Sequence, residues 1–505
     1  MQPHTGSPFR ALVFKIKQRR ATGNAGHPCW GFVQFNKIIL LVMATTWFAT
    51  PSFGQTTANP RLDRLEQQLR DVLQQLAQIR HKPDDAVLAD LRRSTAAQHA
   101  DIEKRLAARP RVSAQNGRLT FASADGDFTL SLRSLMQFDA GYFAQGKNPP
   151  SVDLNSGTNF RRAQLGIFGT LWRGWSYNFT YDFGGRGVEK GGRVYFAYLE
   201  YGGFKPFGFR IGAFPWPGGL EDSTPSADLV FLERAASADV ASGIAGAPGR
   251  EGAGIFARGE RYFVSAALTG KRAGDAATFD AQQAIITRAT WLALDRGDLK
   301  WVLDADFTRV LKVADTAPGS NASFFSFSSE PDVTLDASKT VDTGAIDARG
   351  VSQWGLETAL NNGPFHVQGG YFQYEIARRT TATNPGFSGW YAWATWSLTG
   401  ESHVYDPGDA TFRGLKPDHP LGTPGGWGAL ELKARYSNLD LEYQPLLAGG
   451  VPGGVQNVWT LGVNWFPTYS LKFSLDYNNV SVVHTGAPAN DISAHAVVLR
   501  SQLAL

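Results

Sequence analysis

Between Trp175 and Phe183 the aromatic residues Trp175, Tyr177, Phe179, Tyr181 and Phe183 alternate with Ser176, Asn178, Thr180 and Asp182, a strict period of two. One face of this stretch is aromatic and the other polar. That suits the girdle of a transmembrane β-barrel better than the Val, Ile and Leu face of a soluble sandwich. Just before it, Leu165, Ile167, Gly169 and Leu171 share one face while Arg162, Gln164, Gly166 and Phe168 share the other, and Trp172 to Gly174 predicts a tight turn between two antiparallel strands.

The alternation recurs to the end of the chain. It predicts strands at roughly 127–143, 159–171, 174–184, 192–202, 206–214, 250–258, 261–270, 283–294, 298–312, 351–361, 364–378, 387–399, 427–446, 456–467, 469–483 and 492–505. The expected fold is all-β: a sixteen-stranded antiparallel transmembrane β-barrel preceded by a short N-terminal helical coiled coil. Short connections alternate with long ones, among which 215–249 and 313–350 read as extracellular loops or lumen plugs and 400–426 as a long periplasmic turn. Leu471, Phe473, Leu475 and Tyr477 are expected to face lipid, with Lys472, Ser474, Asp476 and Asn478 facing water. In 428–443 the apolar set slips from Leu430, Leu432, Ala434 and Tyr436 to Leu439, Leu441 and Tyr443, which predicts a β-bulge at Ser437–Asn438.

The first part of the chain has other periods. Lys15, Lys17, Arg19, Arg20 and Lys37 precede the apolar run 38–49, and Ser52 and Gly54 follow at small-residue positions, so 1–54 reads as a secretory signal peptide cleaved near Gln55. Leu62, Leu65, Leu69, Val72, Leu76 and Ile79 recur at intervals of three and four, which makes 55–82 a coiled-coil segment. Leu at one seam position with β-branched residues at the other turns the preference towards a trimer. A helical linker is expected over 83–116 and the barrel over 117–505.

Composition narrows the class. After the first fifty residues no apolar run of about 18 occurs, so helical membrane spans are excluded. The only cysteine, Cys29, lies ahead of the apolar run, so the mature chain carries no disulfide or thiol chemistry. The net charge of +4 owes part of its excess to the signal segment and says little about partners. His366, His403, His484 and His495 lack metal-ligand spacing, and Asp304 and Asp306 share a strand face without a base or cleft. No catalytic residue, metal ligand or cofactor is therefore expected. Basic residues interleaved with aromatics reflect the two faces of a barrel, not a nucleic-acid surface.

The stretches FRRAQLGIFGT with WSYNFTYDF, YGGFKPFGFRIGAF, GLEDSTPSADLVFLERA, SQWGLETAL, SGWYAWATWSLTGE, GALELKARY and WTLGVNWF together resemble the phosphate-selective porins O and P of the Gram-negative outer membrane. The resemblance covers most of 127–505. It implies a trimeric sixteen-stranded barrel with a periplasmic coiled coil, and it maps the constriction's arginine pair onto Arg161 and Arg162 and a loop-three arginine onto Arg234. It also shows departures: the family's phosphate-site lysine falls on Asp222, a serine beside it on Pro225, an inward arginine on Leu135 and an aspartate on Tyr195. Loop 215–249 then sets Glu221, Asp222, Asp228, Glu233 and Asp239 against Arg234 alone.

Inward placement is the inexpensive one for strand charges, since a Lys or Arg facing lipid costs about 2–4 kcal/mol near the midplane. The pore-lining candidates are accordingly Arg161, Arg162, Arg234, Arg133, Arg210, Lys433, Arg435 and Lys472, with Arg500 also on the inner face. Because Arg161 and Arg162 are neighbours, a regular strand cannot aim both inward, and Arg161 requires a local distortion or snorkels around the rim. The expected function is passive diffusion of small solutes with a modest preference for anions such as phosphate. The alternatives are a loop-plugged receptor or adhesin, or a barrel hydrolase. Expected partners are outer-membrane lipid and lipopolysaccharide, small anions and two further copies of the chain.

Overall fold

In the computed structural model the described residues are 64, 67–72, 74 and 85–505, apart from 116–117, 148, 150–151, 186–191, 276–279, 318–319, 321 and 382. The expected signal peptide lies outside the described residues. So does most of the expected coiled coil, of which positions 64, 67–72 and 74 are helical. The helix Asp85–Ala107 has its side chains almost all exposed. It ends three residues before Pro110, which cannot extend a helix.

Sixteen strands close into one antiparallel barrel. They are β1 Thr129–Lys147, β2 Gly157–Leu171, β3 Trp175–Asp182, β4 Arg193–Phe204, β5 Phe207–Ala213, β6 Arg250–Arg258, β7 Tyr262–Arg272 and β8 Gln283–Arg296 in the first half. The second half holds β9 Leu299–Lys312, β10 Ile346–Asn362, β11 Phe365–Arg378, β12 Gly386–Ser397, β13 Ala429–Tyr443, β14 Val451–Thr468, β15 Leu471–Val483 and β16 Ile492–Ala504. Each pairs with the next, and β16 pairs with β1 from Ala504↔Leu135 to Ser493↔Lys147, so the barrel has no open edge. Outward positions carry aromatic and aliphatic residues such as Phe179, Trp291, Trp354, Trp390 and Leu461, all well exposed. Inward positions on the same strands are buried, many of them polar or charged, such as Thr180, Arg288, Glu357 and Thr460, and others apolar, such as Ile286 and Phe387.

The expected helical linker ends early. Arg111–Gln115 and Arg118–Ala122 form a β-hairpin whose second strand pairs with the start of β1, Thr120↔Ser131 to Ala122↔Thr129. Nor is there a bulge at Ser437–Asn438: β13 keeps register there against β12, Tyr391↔Ser437 and Trp390↔Asn438, and shifts only between Asp440 and Glu442 against β14. Odd-numbered residues face inward along the whole of β13. The apolar set changes side because, beyond Tyr436, the inward Leu439 and Leu441 pack on loop residues inside the barrel while the outward Asn438 and Asp440 are polar.

Three long connections fold into the lumen among the described residues. The β5–β6 loop enters from the rim opposite the chain ends, and its helix Ala236–Ala245 packs against β8 to β13, its Ile244 part of one buried apolar cluster with Phe214, Trp216, Ile286, Val310, Phe387 and Leu439. The β9–β10 loop adds Phe327, whose ring lies 5.4 Å from Tyr374 and 5.7 Å from Phe387. From the rim that carries the chain ends comes the β12–β13 connection, with a small ladder Tyr405–Asp406 against Thr411–Phe412. The long turn expected at 400–426 is therefore a lumen insert: Tyr405, Ala410 and Phe412 are buried with Leu220, Phe256, Phe263 and Val302.

Candidate lumen site

The β5–β6 loop has polarised surroundings. Its segment 226–233 runs beside the wall made by β13 to β16, β1 and β2, and inward cations of that wall donate to its carbonyls one after another. Lys472 Nζ reaches Leu229 O at 2.6 Å, Lys433 Nζ reaches Val230 O at 2.9 Å, Arg500 reaches Leu232 O, and Arg435 Nη1 reaches Glu233 O at 2.7 Å. Gln502 and Gln137 continue the series to Ala227 O at 2.9 Å and Ser226 O at 3.2 Å. Strand alternation sets this spacing: 431, 433, 435 and 437 face inward on β13, and 472, 474, 476 and 478 on β15.

Glu233 is the electrostatic centre of the wall. Arg161 holds it with two parallel bonds, Nε–Oε1 2.7 Å and Nη2–Oε2 2.8 Å, while Arg500 Nη2 lies 2.8 Å and Arg162 Nη2 3.4 Å away. Both neighbours Arg161 and Arg162 are buried on the inner side. The distortion this requires is a bulge: β1 pairs Gln137 with Arg162 and then Phe138 with Phe160, leaving Arg161 as the extra residue. Arg162 also donates to Gln137 Oε1 at 2.6 Å. Arg500 forms a two-bond pair with Asp139, both contacts 2.6 Å, Arg435 meets Asp332 at 3.1 Å and Lys433 meets Asp476 at 2.6 Å.

Other expected residues are differently employed. Arg234 folds back on its own loop, donating to the carbonyls of Glu221, Asp222 and Thr224 at 3.1, 2.9 and 2.7 Å, with the Asp222 carboxylate 3.9 Å away. Arg210 pairs with Glu200 at 2.5 Å and lies over the rings of Tyr198 and Phe214. Arg133 stands over Phe196, its Cζ 5.2 Å from the ring centre, apart from the Glu233 cluster. Two of the loop acids expected to face Arg234 alone are answered by other elements: Glu233 by wall arginines, and Asp228 by Arg413 of the lumen insert at 3.5 Å.

On the opposite side, β8 to β10 present Arg288, Asp304, Asp306 and Glu357, all buried. Arg288 holds Asp304 at 2.8 Å and donates to the carbonyls of Asp409 and Ala410 of the insert. Glu357 accepts from the amides of Leu220 at 2.5 Å and Glu221 at 3.1 Å and from Tyr391 Oη at 2.5 Å. Asp304 and Asp306 alone, on one strand, show neither base nor cleft. Only the register Asp304↔Glu357 brings in the third carboxylate, and a single-strand pattern holds no sign of it. His366 and His403, expected to stand alone, have ring centres 4.8 Å apart.

Residues 128–505 match the model of the family described as phosphate-selective porin O and P. Over 383 residues the chain is 26% identical to Porin O of Pseudomonas aeruginosa, covering 72% of this chain and 85% of that protein. An uncharacterized protein of Caulobacter vibrioides is 35% identical over 147 residues, 29% of this chain and 28% of that protein. Among solved structures, the outer membrane channel DcaP of Acinetobacter baumannii is similar at 10% identity and TM-score 0.46, covering 75% of this chain and 97% of that one. An anion-selective porin from Comamonas acidovorans is similar at 12% identity and TM-score 0.45, covering 75% and 100%.

Proposed function

The chain belongs to the phosphate-selective porin O and P family and is an outer-membrane channel protein, and from that premise we propose passive diffusion of small solutes with a modest preference for anions such as phosphate. The observation that carries this reading is the wall around Glu233. Arg161, Arg162, Arg435, Arg500, Lys433 and Lys472 bring six positive charges there against the five carboxylates Glu233, Asp139, Asp332, Asp476 and Glu431. Guanidinium and ammonium donors on a pore wall replace part of an anion's hydration shell and repel cations. The excess is small because nearly every cation already holds a carboxylate or a loop carbonyl, so selectivity is weak. Asp222 at the position of the family's lysine argues the same way, since it removes one anion-binding donor and adds a negative charge.

The rim with the short turns and both barrel ends is the periplasmic one in this reading, and a periplasmic coiled coil of 55–82 favours a homotrimer surrounded by outer-membrane lipid and lipopolysaccharide. Reversal potential across a planar bilayer under a salt gradient tests the selectivity: a potential on the anion side supports it, and cation preference ends it. A second reading, a barrel closed by its own inserts and serving as a receptor or adhesin, draws on the contact between Asp228 and Arg413 inside the lumen. Discrete ohmic current steps support the channel. A silent, correctly folded protein supports the closed barrel.

A further inference from the structure

We propose that Asp304, Asp306 and Glu357 form a site for one hard divalent cation of the Ca2+ class, which clamps the root of the β5–β6 loop to the barrel wall. One oxygen from each of the three carboxylates lies within 4.8 Å of the others, and all three residues are at most 5% exposed. The arrangement follows from register: Asp304 and Asp306 are successive inward positions of β9, and Glu357 on β10 is directly opposite Asp304.

The oxygens are not used up by protein donors. Arg288 and Thr290 both donate to Asp304 Oδ2, and Gln353 Nε2 donates to Asp306 Oδ2 at 2.6 Å. Among the described residues, Asp304 Oδ1, Asp306 Oδ1 and Gln353 Oε1 find no hydrogen-bond partner although they are buried. A buried acceptor without a donor is costly, and three such oxygens beside one further carboxylate, Glu357, call for a cation.

An all-oxygen donor set of carboxylates and an amide carbonyl selects Ca2+ or Mg2+ over zinc or copper. Oxygens within 4.8 Å of one another can share one ion, and Ca2+, with its flexible shell of six to eight oxygens, tolerates such an irregular set better than Mg2+, which demands near-octahedral geometry. Two glycines keep the space clear. A Cβ at Gly355 would fall 2.2 Å from Asp306 Oδ1, and one at Gly219 would fall 2.4 Å from Glu357 Oε2. Because Glu357 also accepts from the Leu220 and Glu221 amides, a cation here couples directly to the loop.

The test uses the full-length protein in detergent, stripped with chelator and titrated calorimetrically with CaCl2. One Ca2+ per chain is expected, with affinity of about 1 mM or tighter. Asp306→Asn should weaken it at least about tenfold, one order of magnitude in the binding constant, whereas Asp275→Asn, an exposed loop carboxylate, should leave it unchanged. On the unaltered protein, Tb3+ in place of Ca2+ should show emission sensitised by Tyr391, which is 2.5 Å from Glu357, and Ca2+ should displace it. Uptake that is absent in the folded protein, or unaffected by Asp306→Asn, overturns the site. Stabilisation by Asp306→Asn without Ca2+ uptake overturns it too, and assigns a shared proton instead.

Discussion

The two sides of the lumen are built from the same kind of position, buried and inward on a β-strand, yet they are satisfied in opposite ways. On the β13–β16 side, cations meet the carbonyls of Leu229, Val230, Leu232 and Glu233. On the β8–β10 side, Glu357 meets the amides of Leu220 and Glu221. One loop thus turns its acceptors to the positive wall and its donors to the negative wall. A peptide segment has both groups to offer, and the charge of each wall decides which is used. The difference teaches that the loop is held across the lumen by charge complementarity at both flanks, and that the field between the flanks runs across the pore rather than along it.

The hardest way to break this comparison is at Glu233. Removing one partner of a buried charge cluster leaves the others unpaired, at about 3–5 kcal/mol. Glu233→Ala leaves Arg161 without its carboxylate and takes one partner each from Arg162 and Arg500, so denaturant unfolding should show a loss of that order while Glu200→Ala, whose carboxylate serves the separate Arg210 and Arg258 pair, leaves the Glu233 wall intact. In channels that still form, reversal potential should move towards anions. A stability equal to that of the unaltered protein would mean that the positive wall does not hold the loop.

Charge removal on the same wall should have the next largest effect. Replacing Arg161 and Arg162 together by Gln keeps hydrogen-bond donors but removes both guanidinium charges, and the anion-to-cation permeability ratio should fall about tenfold, or 1.4 kcal/mol. The converse change, Asp222→Lys, introduces the family's residue beside Arg234. Phosphate should then block chloride current at about fivefold lower concentration, on the order of 1 kcal/mol. If phosphate block is already strong before the change, Asp222 has not lost the site.

Much of the barrel was readable because lipid outside and polar groups inside impose a period of two that no other environment sustains over sixteen strands. At Arg161 the alternation narrowed the outcome to a local distortion or a side chain snorkelling around the rim, and the bulge between Gln137 and Phe138 decides for the first. What fills the barrel was not readable. Leu439 and Leu441 read as outward because an apolar residue was matched to lipid, whereas the lumen has its own apolar contents in the Ala236–Ala245 helix and Phe327. The hairpin 111–122 has strands too short and too polar for its alternation to stand out. Glu233, Asp139 and Glu357 are single acids with no local signature. Their importance arises when register and loop entry bring them to distant partners, 267 positions apart for Glu233 and Arg500.

The smallest expected effect sharpens the comparison at the point where the insert reaches the positive wall. His403 donates from Nε2 to Glu431 Oε1 and from Nδ1 to Arg413 O, both at 2.7 Å, with the His366 ring 4.8 Å away and Asp228 also facing it. Burial works against charge on His403, but Glu431 and the Arg413 carbonyl outweigh it and raise its pKa above the ordinary value. A raised folded pKa means that the anchoring is complete below the unfolded value of about 6.5 and is lost as pH rises through the folded one. Amide exchange over residues 403–413, corrected for the intrinsic pH dependence, should therefore be about threefold slower at pH ~5 than at pH ~9, a modest fraction of the range a histidine switch can span. His403→Gln, which retains a donor but cannot titrate, should erase the difference. If the pH dependence survives that change, the insert is anchored by Arg413 and its carboxylates alone.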